Sequence, residues 1–552
     1  MKRPNPHLLA SVCAVVGISA ACAPEPTCTG DWCGTAVVVA FTEADALLPP
    51  VVRNDVGQSI ADLLFLKLAD VGPELNTVDP STFVPELAES WTFEDDRTIT
   101  FTLHPEARWQ DGTPVTADDV VFTYEVYRDS LVASNARPRI LHIESVTARD
   151  SRTVVFRFPK PYAEQFFDAV NHLRIIPRHL LGTVPRADLV AHPFGRNPVG
   201  NGPFRFVQWR AGESIELVAD STFFLGRPGL RRIIWRVAGD PSTAVTQLLA
   251  GEADALNYIP PDAVERVAES EHLQVVDYPS TYYSYVAFNL RDPDDHSRPH
   301  PLFRDRSLRR ALSMAVNREQ LVQAVDGETG IVARGPVTPA FWIWDEEYEL
   351  LPFDSAQARR QLTQVGWQDA DGDGVLDRGG RRLAFDLLVP ITSASRRRAA
   401  QVIQEQLKRL GVEVSINELD FGAFRERGEA HRFDMFFGSY GGDPSPATIA
   451  EVWTGDGSGN YGSYVNQTVD RLVRDALDAR DVATARAKWR QAVNLIVQDA
   501  PAIWTSVVAM RAGVHQRFEN VSLRGDNWAA TLWEWRVPPD RQIDRDRFTI
   551  TN

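Results

Sequence analysis

The sequence predicts a soluble α/β protein built from more than one lobe. Its 552 residues exceed one ordinary domain, at roughly 100–200 residues each, so two or three lobes are expected. Apolar or alternating runs that read as strands are separated by stretches of helical periodicity along the whole chain, the pattern of mixed layers. A polar, turn-rich segment, Arg291-Asp-Pro-Asp-Asp-His-Ser-Arg-Pro-His300, breaks that alternation and reads as a crossing between lobes. Hydrophobic residues at 44% and charged residues at 24% set aside disordered, collagen-like and coiled-coil chains.

Residues 1–21 carry Lys2 and Arg3, an apolar stretch Leu8–Ile18 and the small residues Ser19-Ala20-Ala21, the layout of a secretory signal. The apolar part falls short of the roughly 20 residues a spanning helix requires. Cys22 follows directly and resembles the cysteine of a bacterial lipoprotein cleavage box, which implies lipidation there; Ser19 departs from the usual Leu or Val. Residues 22–35 form a tether in which Cys28 and Cys33 enclose a loop short enough to close as a disulfide in an oxidising envelope. No cysteine follows, so the folded body is expected to lack disulfides.

Ala36–Ala40 is uniformly apolar and reads as a buried strand, followed by a helix over Gln58–Leu68. Thr98–Leu103 alternates through Ile99, Phe101 and Leu103. Thr116 and Asp119 form a capping pair that opens a helix over Ala117–Arg128. Ser151–Phe158 alternates again, and residues 76–197 look like a mixed subdomain. Ser242 is the expected cap of a helix that stops at Gly251, and Thr281–Leu290 is an aromatic-rich extended stretch. Beyond residue 291 come an amphipathic helix around Leu308–Val316, a strand over Leu383–Val389, a helix holding Ile403 and Leu407, and a strand through Val412, Val414 and Ile416. That order predicts a right-handed β-α-β crossover. Two more helices carry Val469–Leu477 and Trp489–Val497.

Charge and motifs narrow the function. The net charge of −16 repels phosphate backbones, so nucleic acid is not an expected partner. No Gly-Lys dipeptide supplies a phosphate loop, and no His-Glu-x-x-His pair occurs. His296 and His300 flank Pro299 and cannot share a helical face. No Gly-x-Ser-x-Gly elbow presents a nucleophile. Gly457, Gly459 and Gly462 match a dinucleotide spacing, but polar loop follows where a helix should open, so no cofactor is expected. Asp369, Asp371, Asp373 and Asp377 resemble the start of a calcium loop. The twelfth position is Gly380 rather than the bidentate Glu, so a plain turn is the leading reading and calcium the alternative.

Several stretches in common order resemble one family, the large extracytoplasmic solute-binding proteins of peptide and nickel ABC transporters. They are Pro85–Trp91, Asp95-Asp96, Thr100–Leu103, Trp109–Phe122, Asn197–Phe204, Leu248–Asp254, Phe288-Asn289 with Leu308–Leu312, and Phe433–Met435 through Pro444. The resemblance implies a two-lobed periplasmic-binding-protein-like fold of type II, with an extra mixed α/β subdomain on the first lobe and ligand enclosed between lobes. The expected partition is 36–75, 198–290 and 508–552 for the first lobe, 76–197 for the subdomain and 291–507 for the second lobe.

In peptide-binding members an aspartate following a Trp motif takes the ligand's amino terminus, because a desolvated ammonium needs a paired charge. Here Tyr440-Gly441-Gly442-Asp443 fits with Tyr in place of Trp, while Asp443 before Pro444 also suits a turn. Family pockets collect aromatics near Tyr282, Tyr283 and Tyr285, and alternation lets only one face look inward. If Tyr283 and Tyr285 face the cleft, Tyr282 is core. Trp342 and Trp344 are similar candidates against a core reading. Asn54 and Asp55 occupy an early loop that in the family approaches the ligand backbone, though exposed loop polarity explains them equally.

The resulting expectation is a monomeric, lipid-anchored receptor of the cell envelope, on the periplasmic side, that is not an enzyme. It would deliver short peptides to an ABC permease. Another small solute, such as a nickel chelate or oligosaccharide, is the alternative within binding proteins, and an envelope hydrolase the alternative outside them.

Overall fold

The computed structural model describes residues 32–546. Cys22 and Cys28 lie outside the described residues. Cys33 is buried and disulfide-bonded.

The first large sheet has seven strands in the order Leu273–Tyr278, Met510–His515, Ala255–Leu256, Thr35–Ala40, Arg232–Val237, Ser214–Ala219, Phe204–Arg210. Thr35–Ala40 sits centrally because it carries apolar residues on both faces. Val37 and Val39 pack with Ala244, Val245 and Leu248 on one side, while Ala36 and Val38 face Leu47, Leu48 and Ile60 on the other. The helix Pro241–Leu249 is capped by Asp240, which accepts the Thr243 N–H at 2.9 Å; Ser242 is not the cap. The first helix spans Asp55–Leu64, capped by Asn54, and stops before the expected Leu68. Beyond it, the Leu66 N–H leaves helical bonding and donates to Asn201 at 2.8 Å.

An antiparallel four-stranded sheet, Ala88–Asp95, Thr98–Leu103, Thr153–Arg157, Ser145–Ala148, stands beside the first. Ile99, Phe101, Val154 and Phe156 are fully buried. The helix Ala117–Arg128 covers it, opened by the Thr116–Asp119 capping box. This core is continuous with one side of the seven-stranded sheet.

The second large sheet has five strands in the order Glu413–Leu419, Ala384–Pro390, Met435–Tyr440, Tyr283–Phe288, Ala502–Trp504. Ala384–Pro390 runs parallel to Glu413–Leu419, with the helix Ala394–Lys408 between them. Tyr283–Phe288 therefore belongs to the second sheet, and the crossing is not at 291–300 but in Pro279–Tyr282. The expected first-lobe segment ending at 290 is corrected accordingly. An aromatic strand buried on both faces looks alike in either lobe, and pairing decides: Tyr285 faces Gly438 and Trp504. The polar stretch instead folds back on itself through an Arg291–Pro299 bridge. The chain returns after Ser506–Val508, and Met510 pairs with Tyr278. The two crossings thus run side by side.

Candidate functional site

A cavity of about 680 Å³ lies between the two large sheets, next to both crossings. On the first-lobe side, the helix Asp55–Leu64 turns Asp55, Gln58 and Asp62 toward it, at the spacing that shares one helical face. Arg174 grips Asp62 with two bonds, Nε to Oδ1 at 2.7 Å and Nη2 to Oδ2 at 3.1 Å. Gln58 and Asn527 donate to the same carboxylate at 2.6 and 2.7 Å. Lys67 lies 2.5 Å from Asp70, and Arg524 reaches both Asp70 and, at 2.6 Å, Asp526. Burial pushes the Asp70 carboxyl up, but Lys67 and Arg524 overcome that and hold it far below the usual carboxylate range. Beside these charges stands an apolar strip in which the Trp235 and Trp528 rings lie 6.2 Å apart.

The opposing wall comes from the end of the strand Met435–Tyr440 and the turn that follows. Gly441 permits that turn to press on the crossing segment, since a Cβ there would stand 2.4 Å from the Thr281 carbonyl oxygen. The Gly442 N–H donates to Thr281 Oγ1 at 3.1 Å. Asp443 accepts the Ser445 N–H on Oδ1 at 2.8 Å, the turn role open to it, while also lining the cavity. Its Oδ2 lies 3.9 Å from Arg139 Nη2, and the same nitrogen is 2.6 Å from Glu451 Oε1. The Tyr440 hydroxyl donates to Glu451 Oε2. Burial first and the Glu451 carboxylate second push that phenol well above its usual range. Tyr282, 42% exposed, also lines the cavity; desolvation and the Asp55 carboxylate push it up to about 12.

Glu164, from the subdomain, ties the Asp443 turn to the first lobe. It is buried, accepts the Ser445 hydroxyl at 2.7 Å and the Trp342 Nε1–H at 3.3 Å, and accepts from Thr77 of its own lobe. Burial, followed by repulsion from Asp168 and Asp443 against the Thr77 and Ser445 bonds, raises it to about 7.

The expected site residues thus divide. Asp443, Tyr440, Tyr282 and Asp55 come together at the cavity. Tyr283 and Tyr285 do not: they are 1% and 5% exposed, packed with Trp453 and Trp504 in the second-lobe core, and Tyr283 Oη accepts the Trp453 Nε1–H at 2.9 Å. Of the two faces that alternation left open, the one carrying Tyr282 meets the cavity, and Tyr282 itself lies in the crossing ahead of the strand. Trp342 and Trp344 pack against the same core. Asn54 caps its helix through Gly57 N–H at 2.8 Å and does not line the cavity. Asp369, Asp371 and Asp373 lie close together and exposed, but Asp369 accepts the Gly372 and Gly374 N–H groups and Asp373 pairs with Arg382; Asp377 Oδ2 accepts the Ala370 N–H. Arg139, Glu451, Glu164, Arg174 and Arg524 were absent from the expected set. No local motif marks them, and only the fold assembles them.

Five carboxylates line the cavity, Asp55, Asp62, Asp443, Glu451 and Asp526, against four cations, Lys67, Arg139, Arg174 and Arg524. Among the described residues Asp55 is the lining carboxylate without an ion pair. No helix of the described residues is long and apolar enough to cross a membrane.

Comparison with known proteins is extensive. The family described as bacterial extracellular solute-binding proteins, family 5 Middle, matches residues 82–461. The oligopeptide-binding protein AppA of Bacillus subtilis is 31% identical over 402 residues, covering 71% of this chain and 72% of AppA. The structure of AppA in complex with a nonapeptide superposes with a TM-score of 0.76 at 25% identity, covering 92% of this chain and 100% of AppA's. The ABC transporter substrate-binding protein CtaP of Listeria monocytogenes gives 0.81 at 22% identity, over 92% of this chain and 100% of its own.

Proposed function

The chain belongs to the family 5 bacterial extracellular solute-binding proteins, and from that premise we propose that it captures short peptides between its lobes for an ABC permease. The observation that carries the reading is Asp443. One of its oxygens is committed to its own turn, and the other accepts no hydrogen bond among the described residues at the cavity wall. A carboxylate in that state suits a peptide ammonium, whose burial demands a paired charge. The slight excess of lining carboxylates favours a zwitterionic or cationic ligand over an anion. The name of the Bacillus relative and the nonapeptide in its structure support the same ligand class.

The mechanism needs no bond chemistry. Ligand touching Asp443 on one wall and the tryptophan strip on the other stabilises the closed state by its differential affinity, and the permease reads that state. The protein is accordingly read as a carrier rather than an enzyme. We further read Cys22 as the lipidated residue that tethers a monomer at the cell envelope. Native mass spectrometry of the freshly purified protein tests the proposal. Co-purified mass released on denaturation should resolve into peptides of several sequences, and a single non-peptide solute would contradict it.

A further inference from the structure

The two carboxylates beside Arg139 are not equivalent. Arg139 Nη2 sits 2.6 Å from Glu451 but 3.9 Å from Asp443. Glu451 spends its other oxygen on the Tyr440 hydroxyl, so it is anchored by the strand that leads into the Asp443 turn. Asp443 spends Oδ1 on Ser445 and leaves Oδ2 without a hydrogen bond among the described residues. Arg139 comes from the short helix Arg137–Ile140 of the subdomain, across the cleft from both. It remains charged, because burial is outweighed by Asp443 and Glu451. A guanidinium so close, once released from Glu451, has Asp443 as its next anion. It would then cover the oxygen that a ligand ammonium needs, since two cations cannot share one desolvated carboxylate oxygen without mutual repulsion.

We infer that Glu451 is a positioning residue for specificity: with Tyr440 it holds Arg139 off Asp443 and so keeps the ammonium site open to peptides with a free amino terminus. This rests on the ammonium role given to Asp443 above. Arg139 is in effect an internal competitor for the ligand's own charge, and Glu451 decides which of the two Asp443 receives.

The test uses the full chain and calorimetric titration with a random-sequence peptide mixture spanning dipeptides to nonapeptides, and with the same mixture N-acetylated. Glu451→Gln should weaken the free-amine mixture by about tenfold while leaving the acetylated one unchanged. The Glu451→Gln/Arg139→Gln double variant should recover the loss, a coupling that a merely structural role would not produce. Equal weakening of both mixtures, or no recovery in the double variant, overturns the inference. Asp443→Asn separates the two levels. If it leaves the preference for free amines intact, the ammonium reading itself is wrong. If it erases that preference while Glu451→Gln does not touch it, only the positioning role falls. Should Glu451→Gln not fold, Tyr440→Phe removes the other anchor on Glu451 and should shift the free-amine mixture alone, in the same direction by less; no shift there counts against the inference.

Discussion

On the first-lobe wall of the cleft, each charged lining group except Asp55 and the subdomain's Arg139 is tied to a partner on its own lobe: Asp62 to Arg174, Lys67 to Asp70, Arg524 to Asp70 and Asp526. On the opposite wall the ties run across the gap, all to the subdomain: Glu451 and Asp443 to Arg139, Ser445 and Trp342 to Glu164, and Asp478 to Lys160 at 2.6 Å. The first set survives any separation of the lobes and the second does not. One wall is thus a preformed surface, whereas the other is completed by closing. The cost of opening falls on a few hydrogen bonds and ion pairs made by the subdomain rather than by the seven-stranded sheet. A ligand needs only modest extra affinity for the closed form to shift such a balance.

The comparison breaks most visibly at Arg174. Arg174→Ala leaves Asp62 part-buried without its cation, and the expected loss is about 3–5 kcal/mol of global stability in urea unfolding. If the first wall is preformed, that loss appears in unfolding and leaves the ratio of open to closed forms unchanged. A loss below about 1 kcal/mol would make this wall no more fixed than the other.

The clasp should respond to pH. Glu164 titrates at about 7 where it is clasped, against about 4.5 for an ordinary glutamate, so the closed form holds its proton more tightly than the open or unfolded chain. Its stability is therefore highest below about pH 4.5 and falls as pH rises to about 7, on the order of 3 kcal/mol in total. Asp168, Asp443 and Arg139 interact electrostatically with Glu164, which is why the comparison must be with Glu164→Gln. Thermal unfolding across that window should flatten in the variant, and an unaltered slope would remove Glu164 as its origin.

Trp528→Ala sharpens the other side. It strips aromatic surface from the first wall, so peptide affinity should drop by about 1 kcal/mol for free and acetylated peptides alike. Selective loss of one form would place the amino terminus at the wrong wall. Lys160→Ala has the smallest expected effect. That pair crosses the cleft but is more than half exposed at both ends, so affinity and stability should each move by less than about 0.5 kcal/mol.

Much of the fold was legible because periodicity and caps are local. The Thr116–Asp119 box and the strand–helix–strand order over Ala384–Leu419 follow from neighbouring residues alone. Sheet membership is not local. Tyr283–Phe288 reads as a strand in either lobe, and only its pairing with Met435–Tyr440 assigns it to the second. The site divides the same way. Asp443 and Tyr440 lie on one short motif and could be nominated, whereas Glu164 and Ser445 are 281 positions apart and their bond exists only once the subdomain meets the second lobe. Alternation alone could not choose between Tyr282 and the pair Tyr283 and Tyr285, because it gives parity but not direction, and the crossing Pro279–Tyr282 ends at the residue just before the strand.

Small-angle scattering of the full chain, titrated with the free-amine peptide mixture, most directly tests capture by closure. A radius of gyration that falls to a plateau as the mixture saturates the protein, with peptides recovered uncut, is the predicted result. Saturable binding at constant radius, or peptides returned as fragments, would contradict it.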